Sequence, residues 1–214
     1  MFLFVHFKSA RNVNHWLYRI WGHIVFIFTG IWAKPEWRFK PKKNQVYVFC
    51  ANHTSYADIP SLYINIYKDL TFLGKSSLGK VPLFGYVYKR IHILVDRRSS
   101  DSRKEVIEKC KSAIQNGISP VIFPEGTIPK VGKRPQMIEF KDGAFKIAIE
   151  MQVPIVPVSI TNNYKILPDN DKLNVSILPS KVIFHKPIET KGLTVNDLND
   201  LKQKIFDVIA SELK

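Results

Sequence analysis

From Gln45 onward, short apolar runs alternate with segments whose apolar residues recur every three or four positions. The runs Gln45–Ala51, Thr71–Leu73, His92–Asp96, Val121–Phe123, Ile155–Ile160, Asn174–Leu178 and Val182–His185 read as strands. Ile59–Lys68, Ser102–Asn116, Gly143–Gln152 and Val195–Leu213 read as helices. In the second of these, Val106, Cys110 and Ala113 share one face and Gly117 supplies the stop. The last opens on Thr194-x-x-Asp197, a capping signal, and turns Leu198, Leu201, Ile205, Val208 and Ile209 inward. Strands alternating with helices predict an α/β domain, a layered mixed sheet flanked by helices. At 214 residues the chain is long enough for one well-buried core.

The first 33 residues follow a different pattern. Phe2 to Phe7 is apolar and aromatic, and Trp16, Tyr18, Trp21, Phe26, Phe28 and Trp32 crowd the stretch after it. The apolar run Ile20–Ala33 is too short to span a bilayer and is interrupted by Gly22, His23 and Gly30. No small-residue cleavage site follows it, so a signal peptide fits poorly. The expectation is a helical segment lying in a membrane interface, with Trp and Tyr at headgroup level. The competing reading is a helix packed on the core. Residues 1–37 are therefore set apart as an interfacial helical segment, and 38–214 as the α/β domain. Trp37 to Asn44 is a basic connector, the kind of sequence an anionic leaflet attracts.

Charge changes the picture next. The formal net charge of +14 calls for an anionic partner: nucleic acid, membrane surface or phosphorylated substrate. Nucleic acid is disfavoured, because no recognisable binding motif is present and the aromatics cluster away from the basic residues. The two cysteines, Cys50 and Cys110, form neither a metal nor a redox spacing and suggest a reducing compartment. The six histidines show no metal-ligand spacing.

Three stretches carry candidate chemistry. The first is Ala51–Pro60, between a strand and a helix, with His53 and Asp58 five residues apart. On an ideal helix the two side chains would diverge by roughly 140°, and on a strand they would face opposite sides. They meet only if the chain turns between them, at the end of a strand, where α/β proteins place ligands. His53 could then act as a general base with Asp58 orienting its ring. Ser55-x-x-Asp58 equally reads as a capping box. The second stretch is Gly74–Arg98. Its Gly74-Lys75-Ser76 is not a P-loop, since Asp69 occupies the place of the first glycine. It reads as a loop with Lys75, Lys80, Lys89, Arg90, Arg97 and Arg98 spread among Gly79, Pro82 and Gly85, able to bring N–H groups and cations to a phosphate or oxyanion. The third is Val121–Thr127, which puts Glu125 at the end of a strand, to bind hydroxyls or hold cations, or simply to occupy a surface turn.

In order, these stretches resemble the glycerolipid acyltransferase family, typified by bacterial 1-acylglycerol-3-phosphate acyltransferase. Asn52-His53-x4-Asp58 looks like the first family motif. Gly74-Lys75 through Pro82, Gly85 and Val95-Asp96-Arg97 looks like the second. Phe123-Pro124-Glu125-Gly126-Thr127 is similar to the third, and Val153–Val158 to the fourth; Phe140–Phe145 also resembles the family's Gly-Ala-Phe segment. Each motif alone is weak, but four in order, from about residue 45 to about residue 160, are specific. The resemblance implies catalytic roles for His53 and Asp58, and a substrate-binding set of Lys75, Arg97, Glu125, Gly126, Thr127 and Lys130. It implies direct acyl transfer from acyl-CoA or acyl carrier protein to the sn-2 hydroxyl of a lysophosphatidate, without cofactor or metal. No Gly-x-Ser-x-Gly elbow suggests an acyl-enzyme. The oxyanion donor is expected in the Gly74–Gly79 loop, near Lys75. The membrane surface, through residues 1–33, and acyl carrier protein are the implied partners, with the cytoplasmic face of the cell membrane the implied location. One position departs from the pattern: Ile128 stands where the family usually has an arginine thought to grip the substrate phosphate. Either Lys130, Lys133 or Arg134 supplies that charge, or the acceptor differs, for example a lyso-ornithine or lyso-glycine lipid.

Overall fold

The computed structural model describes residues 11–80, 82, 84–96, 100–129, 137–168 and 175–213. The apolar Phe2–Phe7 run and the cations Arg97, Arg98, Lys130, Lys133 and Arg134 lie outside the described residues. Helix α1 (Arg11–Phe28) leads into β1 (Ala33–Trp37), β2 (Val48–Ala51), α2 (Asp58–Asn65) and β3 (Leu70–Lys75). A 3-10 turn (Ser76–Lys80), α3 (Phe84–Ile91), β4 (Ile93–Val95), α4 (Ser100–Gln115) and β5 (Ser119–Ile122) follow. The chain continues through α5 (Gly143–Met151), β6 (Ile155–Ile160), α6 (Asn163–Ile166), β7 (Ser180–Phe184) and α7 (Leu198–Ala210).

The strands form one seven-stranded mixed sheet in the order β1-β7-β6-β2-β5-β3-β4. All pairings are parallel except β6 with β7. The central strands are apolar on both sides because helices cover both faces. Val48 and Cys50 join the core under α4, α5 and α7, while Phe49 and Ala51 join the core under α2. That places β2, β5 and β6 side by side, with their C-terminal ends at one edge of the sheet.

The expected α/β class holds, with four local corrections. The segment expected to be helical to residue 37 leaves the helix at Phe28. Gly30, at φ +70°, closes α1, with Ile31 N–H bonded to the Phe26 carbonyl. Ala33–Trp37 then joins the sheet as an edge strand, where Pro35 is tolerated and Trp37 stacks on Phe184 at 3.8 Å. The strand expected at 174–178 is absent over the described residues 175–178. There Ser176 N–H goes to the Ile166 carbonyl and Ile177 packs on Gly30. The glycine-rich stretch read as a loop contains α3, because Gly85 lets that helix close on Gly79, whose carbonyl oxygen would be 2.4 Å from any Cβ at 85. The terminal helix begins as a 3-10 turn (Val195–Asp197), capped by Asp197 on the Thr194 N–H at 2.7 Å.

Helix α1 runs through Gly22, which meets α2 so closely that an added Cβ would lie 2.7 Å from Ile64 Cγ2. Tyr18 and Phe26 are buried, Tyr18 stacking on Tyr63 at 4.9 Å. The other side of α1 presents Trp16, Trp21, Ile24, Ile27 and Phe28 to solvent, the last 87% exposed. No helix among the described residues is long and apolar enough to cross a membrane.

Candidate active site

The site forms where β2 stops. Asn52, fully buried, continues the β2–β6 pairing with its side chain: Nδ2 donates to the Ile160 carbonyl at 2.9 Å, and Oδ1 accepts the Ile160 N–H at 2.7 Å. The chain then turns, and the turn closes on Asp58, the first residue of α2. Asp58 is 0% exposed. Its Oδ2 accepts the N–H groups of Thr54 at 2.8 Å and Ser55 at 3.0 Å, and meets His53 Nδ1 at 2.9 Å. Its Oδ1 accepts from Asn163 Nδ2 at 2.8 Å. One carboxylate thus both ties down the turn and holds the imidazole. An ionised carboxylate only accepts hydrogen bonds, so Nδ1 carries the proton and Nε2 keeps its lone pair. The His53 ring lies flat on Phe123, centroids 4.0 Å apart, which fixes its plane. Its side chain is 16% exposed, so the ring retains an open approach.

Glu125, at the exit of β5, is also buried. Oε1 accepts the His53 backbone N–H at 2.8 Å and Oε2 the Ile138 N–H at 3.3 Å. It clamps the first turn to the segment after residue 136. Burial pushes its carboxyl up to about 7, opposed by those two N–H groups. Gly126, at φ +71°, turns the chain away from the strand, and Lys141 Nζ approaches it so closely that a Cβ would meet it at 2.7 Å. Thr127 is exposed. Lys75, exposed, ends β3, the strand beside β5, at the same edge of the sheet. Across the sheet, an apolar cavity of about 670 Å³ between β3–β5 and helices α4 and α5 reaches Pro124 and Gly126, with Lys141, Lys146 and Lys202 among its lining.

Of the expected residues, the structure brings together His53, Asp58 and Glu125, with Gly126 beside them; Arg97 and Lys130 fall outside the described residues. Sequence reasoning missed Asn163 and gave Phe123 and Asn52 no role. The available signal was the run Thr161-Asn162-Asn163, polar residues at the exit of a strand neighbouring β2.

A seven-stranded mixed sheet with a buried Asp steering an accessible His at a strand exit defines an α/β domain equipped for general-base chemistry. The family profile described as Acyltransferase matches residues 35–161, more than half the chain. The chain belongs to the acyltransferase family. It is 28% identical over 185 residues to a chloroplastic 1-acyl-sn-glycerol-3-phosphate acyltransferase of Brassica napus, covering 85% of this chain and 52% of that protein. It is 30% identical to the 1-acyl-sn-glycerol-3-phosphate acyltransferase of Saccharomyces cerevisiae, covering 96% and 68%. With the enzyme of that name in Haemophilus influenzae it shares 26%, covering 100% and 86%. The chain thus spans about half the length of the plant relative and most of the bacterial one. The crystal structure of the 1-acyl-sn-glycerophosphate acyltransferase of Thermotoga maritima has the same fold, with a TM-score of 0.75 at 24% identity, covering 97% and 83%.

Proposed function

We propose that this chain is a 1-acylglycerol-3-phosphate O-acyltransferase, forming phosphatidate from an acyl thioester and a lysophosphatidate. The observation that carries the reading is the His53–Asp58 pair, 2.9 Å apart, with Nε2 turned away from the carboxylate. His53 Nε2 takes the proton of the acceptor hydroxyl as its oxygen attacks the thioester carbonyl. The tetrahedral oxyanion collapses, the C–S bond breaks, and the imidazolium returns its proton to the departing thiolate. Asp58 stabilises the imidazolium between the two transfers. General-base help of this kind is worth roughly 10²–10⁴ in rate. A backbone N–H near Lys75 would meet the oxyanion, since β3 ends beside β5. The apolar cavity behind Pro124 lies within the size range of small-molecule sites and suits the acyl chain. The donor is acyl-CoA or acyl carrier protein.

The outer face of α1, with Trp16, Ile27 and Phe28, supports a monotopic association with the membrane, where the lysolipid acceptor partitions. The basic surface suits the anionic cytoplasmic leaflet. A second reading rests on Ile128: a lyso-aminolipid acceptor, which needs no arginine at that place. The test is acyl transfer by the purified chain from each donor to 1-acylglycerol 3-phosphate, lyso-ornithine lipid and lyso-glycine lipid. Phosphatidate as the preferred product supports the first reading. No turnover of the phosphate acceptor with either donor, alongside acylation of an aminolipid, overturns it.

A further inference from the structure

The Asp58 carboxylate is approached from two sides. Oδ2 serves the turn and His53, whereas the one partner of Oδ1 among the described residues is Asn163. Asn163 opens α6, directly after β6, and is fully buried. Its Nδ2 donates to Asp58 Oδ1 at 2.8 Å and to Ser61 Oγ at 3.0 Å, and that hydroxyl is itself paired with Ser180 Oγ at 2.7 Å. The amide is therefore clamped from α2, whose Ser61 is held in turn by Ser180 at the start of β7. Its Oδ1 is buried without a partner among the described residues. A buried amide oxygen left unpaired is unfavourable, so packing alone would favour an apolar side chain here. Neighbouring Asn162 does something different: it staples backbone, donating to the Pro179 carbonyl and accepting the Lys181 N–H.

We propose that Asn163 is a positioning residue for acyl transfer: it holds Asp58 with Oδ2 facing His53 Nδ1 and withdraws part of the negative charge that Asp58 presents to the base. The inference rests on His53 being that base. The charged groups facing the pair bear on the test. Glu125 faces it from the end of β5, and the Lys141 ammonium lies beyond Gly126. Neither changes in the variants below.

The experiment compares kcat, KM and the pH dependence of kcat/KM for wild type, Asn163→Leu, Asn163→Ala and His53→Ala. Asn163→Leu should lower kcat about ten- to a hundredfold, the factor expected on losing a hydrogen bond to a charged group. KM for both substrates should stay within about twofold. The acidic limb of kcat/KM should move to higher pH, because an unshared Asp58 charge holds the His53 proton more tightly. Asn163→Ala should move it the same way, since it also removes the donor to Asp58 Oδ1. It is smaller than the native side chain, so it carries the test if the leucine variant does not fold. An inactive His53→Ala enzyme with unmoved limbs in both Asn163 variants overturns this inference alone. Turnover by His53→Ala overturns the base reading and this inference with it.

Discussion

The substitution Asp58→Asn should disable the chain while leaving it folded, and the structure says why. The carbonyl of the new amide can take the place of Oδ2 and keep the Thr54, Ser55 and His53 hydrogen bonds. Its NH2 group then faces Asn163, whose unpaired Oδ1 can swing round to accept it. The flip carries the Asn163 NH2 group to the place where Oδ1 had no partner, so one buried donor is stranded and stability should fall by about 1–3 kcal/mol in urea unfolding. The charge, however, is gone. A unit charge about 4 Å from the imidazolium, at an effective dielectric near 20, contributes roughly 4 kcal/mol to the protonated state. Losing most of that should cut kcat by about a thousandfold and move the acidic limb of kcat/KM to lower pH, the opposite direction to the Asn163 variants. The assay is acyl transfer over a pH series, with unfolding curves on the same preparation. Activity within about fivefold of wild type, or a loss matched by unfolding, would refute the reasoning.

Two further outcomes follow from the same geometry. Glu125 binds its proton more tightly folded than unfolded, its carboxyl rising from 4.5 to about 7, so the stability linked to it is present at low pH and lost as pH rises through that window. Urea unfolding of wild type against Glu125→Gln should show the wild-type advantage shrinking by at most about 3 kcal/mol between about pH 4.5 and about pH 8; a constant difference would contradict the burial argument. The double change Ile27→Ser, Phe28→Ser touches only exposed positions of α1, so it should lower co-sedimentation with anionic vesicles several-fold while leaving the melting temperature unchanged. Equal sedimentation would remove this face from the membrane contact.

The core strands were legible because helices on both faces make every position apolar, as at Val48–Ala51. The first turn was legible because His53 and Asp58 fit neither regular period. Less visible was β1: Ala-Lys-Pro-Glu-Trp has no apolar alternation, and its place depends on pairing with β7, far along the chain. Helix α3 was masked by glycines that read as a loop but serve close packing on the 3-10 turn. Asn163 lies 105 residues from Asp58, and only the adjacency of β2 and β6 brings them together. Nor could spacing reveal that Glu125 turns inward to backbone N–H groups, because direction at a strand exit is set by the turn at Gly126.

The measurement that bears most directly on the account is the rate of acyl transfer to 1-acylglycerol 3-phosphate by wild type and His53→Ala, with matched melting temperatures. A loss of at least about a hundredfold in the variant is predicted, the least that removal of a general base should cost. A folded His53→Ala protein that transfers the acyl group at a rate near wild type would contradict it.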